Sequence, residues 1–276
     1  MIALTDEFPR RLITRVTGWP RSSLYHEPRE RADAAKLDAA IVDLAGAWPT
    51  YGYRRLTAML QRDGWRINRK RVLRAMHRLG LAAKPHERKP RTTQSDHDFQ
   101  RFPNRVADLT VAKPDEVWVA DITYVRLESD FVYLAVLMDV FTRQVRGWEL
   151  SRSLDGRLTL NALDRALRQA KPTIHHSDQG GQYAANDYVE RLMANDVSIS
   201  MAHVGCPEEN GYAERLMRTI KEEEVALSDY QDFAEARRQL GAFLDDVYNR
   251  KRIHSALGYL TPVEFADHWH TQQTKT

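Results

Sequence analysis

Cysteine is almost missing: Cys206 is the single one in 276 residues. One thiol excludes an intramolecular disulfide framework and any multi-cysteine zinc site, and it suits a reducing compartment. Long apolar runs are missing too. No stretch of about 18 apolar residues occurs, so no membrane-spanning helix is expected. The opening "MIALTDEFPRRLITRV" mixes charges into its apolar positions, which argues against a secretory signal and for a cytoplasmic protein.

Acidic residues are scarce in one region. From Arg66 to Arg105 only Glu87, Asp96 and Asp98 stand against many Lys and Arg, whereas Asp and Glu recur freely from Asp108 onward. The net charge of +3 hides this asymmetry, which predicts a polyanionic partner for the front of the chain. With 42% hydrophobic and 29% charged residues, the remainder reads as a soluble globular protein long enough for two domains.

Residues 31–47 carry Leu37, Ile41 and Leu44 at helical spacing. After Pro49, "YGYRRLTAMLQRDGWRINRKRVLRAMHRLGL" splits into two short helices around Asp63 and Gly64. Asn68 is the expected cap of the second, whose buried stripe is Val72, Met76 and Leu79. Its other side gathers Lys70, Arg74, His77 and Arg78, with Arg71 close by. Two short helices with a basic second member make a helix-turn-helix-like DNA reader, although a plain helical hairpin has the same period. Residues 82–113 lose all periodicity and read as a basic linker able to follow a phosphate backbone.

Three strands are expected next, in "EVWVADITYVRL", "DFVYLAVLMDVF" and "QVRGWELS", joined by short turns. A helix at 156–170, a strand in "TIHHSD", a helix in "NDYVERLMAND", a strand in "VSISMA" and a long helical region from about Glu208 follow. That order matches an α/β, ribonuclease H-like fold: a mixed five-stranded sheet flanked by helices, preceded by an all-α region.

Asp121 lies in a buried-strand context, Asp178 ends the fourth strand ahead of Gly180 and Gly181, and Glu214 opens the last helix with 35 residues intervening after Asp178. Converging at one sheet edge, three hard oxygen donors suit Mg2+ or Mn2+ better than zinc. Two such ions promote in-line phosphodiester displacement. Two alternatives stay open on spacing alone: Asp178 as a cap for the helix near Asn186, and Asp139 as a competitor of Asp121. Glu214, Arg218 and Lys221 share a helical stripe that reads either as a solvated face or as one metal ligand followed by two phosphate contacts.

"WVADITYV", "HHSDQGGQY", "GCPEENGYAERLMRTIKEE" and "YNRKRIHSALGYLTPVEF" together resemble the core blocks of integrase-like DDE transposases. The group they resemble is the insertion sequence three family, second open reading frame (OrfB) type, within the retroviral integrase catalytic-core superfamily. The helical block before the core resembles that family as well. The resemblance implies a DNA transposase that cleaves element ends and joins them to target DNA, with two Mg2+ ions (or Mn2+) on Asp121, Asp178 and Glu214. It leaves Asp139 a structural role in a strand turn. It also implies DNA contact by Lys221, and either site-shaping or DNA contact by His176, Ser177, Gln182 and Tyr183. In the C-terminal block, Asn249, Arg250, Arg252, His254 and Pro262 match, as packing and capping residues or as DNA contacts. The chain departs from the family in having Glu209 before Asn210, where aspartate is common, and Arg215 after Glu214, where a small residue is.

The expected partners are terminal repeats and target DNA, a further copy of the chain, and an upstream reading-frame product supplying the coiled coil that this chain lacks. The expected place of action is the nucleoid. Domain limits follow at 1–81 for the helical region, with its DNA-reading segment at about 51–81, then 82–113 for the linker, 114–228 for the catalytic core and 229–276 for a helical extension. A nuclease or resolvase without strand transfer, and a DNA-binding repressor of transposition, remain the rival readings.

Overall fold

The computed structural model describes residues 8–18, 20, 33–81, 101–203 and 206–274. Most of the expected basic linker therefore lies outside the described residues. A short helix, α1 (Arg10–Thr17), stops at Gly18, whose φ of +70° favours glycine. Helices α2 (Ala34–Ala47), α3 (Tyr53–Arg62) and α4 (Arg69–Arg78) bury Leu37, Ile41, Leu56, Leu60, Val72 and Met76 in a common core. The turn between α3 and α4 passes through Gly64 at φ +88°, and Asn68 caps α4 by accepting from the Arg71 N–H at 2.9 Å.

A five-stranded sheet follows, comprising β1 (Val117–Arg126), β2 (Phe131–Asp139), β3 (Val145–Ser151), β4 (Ile174–Ser177) and β5 (Ser198–Met201), in the spatial order β3-β2-β1-β4-β5. β1, β2 and β3 form an antiparallel meander, while β4 and β5 run parallel to β1. Helices connect the parallel strands: α5 (Gly156–Leu167) before β4, then a single turn α6 (Gly181–Ala184) and α7 (Asn186–Met193) before β5. The last part holds α8 (Gly211–Glu223), α9 (Phe233–Ala242), a π-helical segment (Phe243–Lys251) and α10 (Pro262–Gln273).

Strand alternation divides the core into two layers. Val117, Val119 and Val125 of β1 pack with Leu134, Val136 and Met138 of β2 against Ala213, Leu216, Met217 and Ile220 of α8. Trp118, Ala120, Ala135 and Leu137 face the other way, onto Leu158, Ala162, Leu163 and Ala166 of α5 and Leu192 of α7. α5 lies so close to β3 that a Cβ on Gly147 would stand 2.3 Å from the Ala162 carbonyl oxygen.

The C-terminal block fastens the layers together. Asn249 accepts from the Val145 N–H at 2.9 Å and donates to its carbonyl at 3.1 Å, occupying the open edge of β3. Arg252, almost fully buried, pairs with Glu223 of α8 at 2.6 Å, and Arg55 of α3 joins the same carboxylate at 3.1 Å. Thr261 and Glu264 form a capping box on α10, with Pro262 in its first turn. Asn249, Arg252 and Pro262 thus serve packing and capping. His254 lies against Arg252, and burial, then the Arg252 charge, pushes its imidazole down to about 2.

Candidate active site

β1 and β4 are in register at Val117↔Ile174, Trp118↔His175 and Val119↔His176, and the pairing ends there. Extending that register by two positions sets Asp121 of β1 opposite Asp178, one residue past the end of β4. Asp121 belongs to the alternation that faces α8, the helix whose first turn carries Glu214. All three carboxylates are half-buried.

The electrostatics report their proximity. Burial raises the Asp121 carboxyl from 3.8 to about 7, and the negative charges of Asp178 and Glu214 push the same way. The Ile122 N–H, which donates to Asp121 Oδ1 at 2.8 Å, and the Lys221 ammonium act against the rise. The Lys221 ammonium and the Ile122 hydrogen bond thus offset the rise at Asp121 only in part. Among the described residues, no three of His, Cys, Asp and Glu form a ready-made metal cage. The acids form an open cluster of hard oxygen donors, the donor chemistry that suits a hard divalent cation.

Asp178 Oδ1 accepts from the Gly180 N–H at 3.0 Å, which curls the chain directly after the strand. Gly180 itself has an ordinary φ of −67°, so positive φ is not its reason for being there. A Cβ at this position would meet Asp178 Oδ1 at 3.0 Å, so a larger residue would press on the carboxylate. α7 is preceded by Ala185 without a side-chain cap, so Asp178 does not cap the helix at Asn186.

Asp139 is fully buried at the β2–β3 turn, accepting from Thr142 N at 2.8 Å, Thr142 Oγ1 at 2.5 Å and Asp115 N at 3.0 Å. Burial raises its carboxyl and the Thr142 hydrogen bonds oppose this. It holds a turn and stands apart from the three acids.

Several expected DNA contacts meet buried or paired side chains. His176 is fully buried with Nδ1 2.9 Å from Ser200 Oγ, and burial lowers its pKa. Tyr183 is also buried, its hydroxyl pushed well above 10.0 first by burial and further by Tyr188, Asp121 and Asp178. Neither presents a surface to DNA; Tyr183 lies close enough to Asp121 and Asp178 to feel their charge, while His176 is held by Ser200. Ser177 is likewise buried, its hydroxyl donating to the Asp178 carbonyl at 2.9 Å. Gln182 remains half-buried beside Gly180. Arg71 is held by Asp33 at 2.6 and 3.0 Å, and Arg78 by Asp38 at 2.5 and 2.6 Å. Among the described residues, Lys70 and Arg74 are then the exposed cations of the expected α4 set that no such carboxylate clamp holds. On α8, Arg218 is exposed, while Lys221 stands with its Nζ 5.0 Å over the Tyr124 ring.

Asn210, absent from the expected site, is buried immediately before α8 and donates Nδ2 to the Ala120 carbonyl at 3.1 Å. Its neighbour Glu209 accepts from His203 N at 2.7 Å and Asn104 Nδ2 at 2.8 Å, so the glutamate in place of the common aspartate anchors the approach to the helix. Arg215 is exposed. The only sequence sign of Asn210 was its position just ahead of the helix bearing Glu214.

Known proteins agree with this architecture. A family model described as an integrase core domain matches residues 111–207, a second of the same description matches 195–262, and an HTH-like domain matches 30–89. The chain is 32% identical over 267 residues to the insertion element IS600 uncharacterized 31 kDa protein of Shigella sonnei, spanning 93% of this chain and 98% of that protein. It is also 32% identical over 219 residues to transposase InsF for insertion sequence IS3A of Escherichia coli strain K12, spanning 78% of this chain and 76% of the relative. A simian T-cell lymphotropic virus intasome, solved in complex with PP2A regulatory subunit B56 gamma, shares the fold with a TM-score of 0.51 at 16% identity, over 82% of this chain and 74% of that one. With an integrase core, an HTH-like region and transposase relatives matched along most of their length, the chain belongs to the IS3 family of insertion-sequence transposases.

Proposed function

We infer that Asp121, Asp178 and Glu214 are the catalytic acids of this transposase and hold two divalent cations, Mg2+ or Mn2+. The single observation carrying this reading is the juxtaposition of the three carboxylates: the β1–β4 register leads Asp121 to Asp178, and the charges of both Asp178 and Glu214 bear on Asp121. Three carboxylates brought together at one sheet edge repel one another, and a shared cation relieves that repulsion. When bound, the cations would activate the attacking oxygen and stabilise the leaving oxygen of an in-line phosphodiester displacement.

The chain's own residues supply orientation. Gly180 bends the backbone away after Asp178, Asn210 ties the α8 helix to β1, and Lys221 and Arg218 extend the acid row with positive charge suited to phosphate. Lys70 and Arg74 on α4 offer a basic face to duplex DNA, where helices of this kind sit in the major groove. In this reading, water first releases a 3′ hydroxyl at the element end, which then attacks the phosphorus of a target phosphodiester and displaces the target's 3′ oxygen, without a covalent protein intermediate. Joining two ends calls for at least two copies of the chain on DNA.

The test is a strand-transfer assay with labelled element ends in Mg2+ or in EDTA, comparing wild type with Asp178→Asn and Glu214→Gln. Metal-dependent joined products that vanish in both variants, with DNA binding retained, are expected. Cleavage without joining by the wild type would support a nuclease instead, and joining that survives either substitution would remove that acid from the site.

A further inference from the structure

Past the last β1–β4 pair, β1 continues from Asp121 to Arg126 with β2 as its only strand neighbour among the described residues. Two large rings remain uncovered along this stretch: Tyr124 is 45% exposed and Phe131, across the hairpin, 49%. Their centroids lie 5.9 Å apart with planes at 80°, an edge-to-face pair. Lys221 stands 5.0 Å over the Tyr124 ring, and exposed Arg126 is the register partner of Phe131. Cross-strand aromatic pairs do strengthen hairpins, but that role needs no ring left half open to solvent.

Position gives the surface its meaning. At about 3.3 Å per residue, Tyr124 lies roughly 10 Å along the strand from Asp121, close to three stacked base steps of about 3.4 Å. Strand alternation turns Tyr124 to the other face of the sheet from Asp121, and Lys221 spans the two, lowering the Asp121 carboxyl while capping the Tyr124 ring. Exposed aromatic faces interleaved with cations are what sequence-tolerant recognition of unpaired nucleotides uses: the rings stack bases and the cations take the backbone.

We propose that Tyr124 and Phe131, flanked by Lys221 and Arg126, form a stacking platform for an unpaired base of the DNA whose phosphodiester is held at Asp121, Asp178 and Glu214. The platform rests on the reading of those acids as the active site. It holds the strand splayed from its complement, so that the duplex does not close again over the reacting phosphate.

Binding of the full chain to a short single-stranded oligothymidylate tests the platform, alongside element-end duplexes carrying a fluorescent adenine analogue in mismatched terminal pairs. Tyr124→Ala should weaken oligothymidylate binding roughly tenfold or more and abolish quenching of the analogue, leaving the salt dependence unchanged. Tyr124→Trp should retain both, which separates stacking from damage to the hairpin. Phe131→Leu keeps apolar bulk without a ring and should give a smaller loss in the same direction. Unchanged affinity and quenching in Tyr124→Ala would overturn the proposal, as would an equal loss in Tyr124→Trp. Strand transfer by the wild type and by Glu214→Gln separates the two readings: joining that vanishes in Glu214→Gln together with ring-independent binding sinks the platform alone, and ring-dependent binding with joining that survives Glu214→Gln sinks the assignment of the acids.

Discussion

Asn210 donates to the carbonyl oxygen of Ala120 at 3.1 Å, joining the residue before Asp121 to the position four residues ahead of Glu214. One buried hydrogen bond thus spans the two elements that carry these acids, and it does so at the end of α8 nearest the site. Removing it would leave a buried carbonyl without its partner, at a cost of about 1–3 kcal/mol. Asn210→Ala is expected to lower the melting temperature by a few degrees and strand transfer by at least tenfold. The informative readout is metal preference: a helix start freed from β1 should lose more activity in Mg2+, which demands stricter geometry, than in Mn2+. Equal losses in the two metals would reduce Asn210 to a fold-stabilising residue.

The Asp121 carboxyl makes the fold pH-dependent. Its folded-state pKa is raised from 3.8 to about 7, so between those values the folded chain keeps a proton that the unfolded chain has lost. The favourable contribution is fully present below the lower value and disappears as pH rises through the upper one. Above about pH 7 the Asp121 charge stands against the negative charges of Asp178 and Glu214 that oppose it, and a divalent cation relieves that repulsion. Added Mg2+ should therefore raise the melting temperature little at about pH 6 and clearly more at about pH 8. Asp121→Asn should raise the melting temperature of the metal-free protein at the higher pH and flatten the dependence. A Mg2+ effect that is the same at both pH values would separate Asp121 from the cation.

The strands were legible because runs such as "VWVADITYV" and "FVYLAVLMD" are β-branched and aromatic and sit between turn residues, and Asn68 was legible as a cap because cap chemistry is local. The convergence of Asp121 and Asp178 needed the parallel register of β1 and β4, a long-range property that spacing does not encode. The basic face of α4 was overestimated for the same reason. Asp33 and Asp38 lie 38 and 40 residues before the arginines they hold, and helical period says nothing of them. The one-turn helix Gly181–Ala184 was hidden because two glycines beside a carboxylate read as a plain turn. Asn249 and Arg252 matched a family block without revealing which surface they touch. The structure turns both inward, onto the β3 edge and Glu223.

Those pairings make DNA binding by α4 testable residue by residue. Each lysine or arginine that neutralises one phosphate contributes about 0.9 to the slope of log affinity against log salt. Lys70→Ala with Arg74→Ala should reduce that slope by roughly two and weaken binding to duplex DNA across sequences. Arg78→Ala should change it less, because Asp38 already holds that guanidinium. A larger loss from Arg78→Ala than from the double variant would show that the Asp38 pair opens on DNA.

The ion pairs that join the helical region to the core differ sharply in burial, and their strengths should differ accordingly. Glu223 and Arg252 are 8% and 3% exposed at 2.6 Å, with Arg55 on the same carboxylate at 3.1 Å, whereas Arg62 and Glu264 are 37% and 38% exposed. Glu223→Gln leaves two arginines in a shielded site without their anion and should destabilise the protein by about 3–5 kcal/mol. Glu264→Gln keeps the capping box on α10 and loses only a solvent-screened pair, for about 0–1 kcal/mol. Burial opposes the Glu223 charge, but Arg252 and then Arg55 outweigh it, and the carboxyl titrates below its ordinary 4.5. Its stabilising contribution is therefore complete above that value and is lost as pH falls through the lower folded-state pKa. Chemical denaturation of the two variants at neutral pH and in mild acid measures all of this. Comparable losses from Glu223→Gln and Glu264→Gln would mean that the buried triad does not hold the helical region to the helix of Glu214.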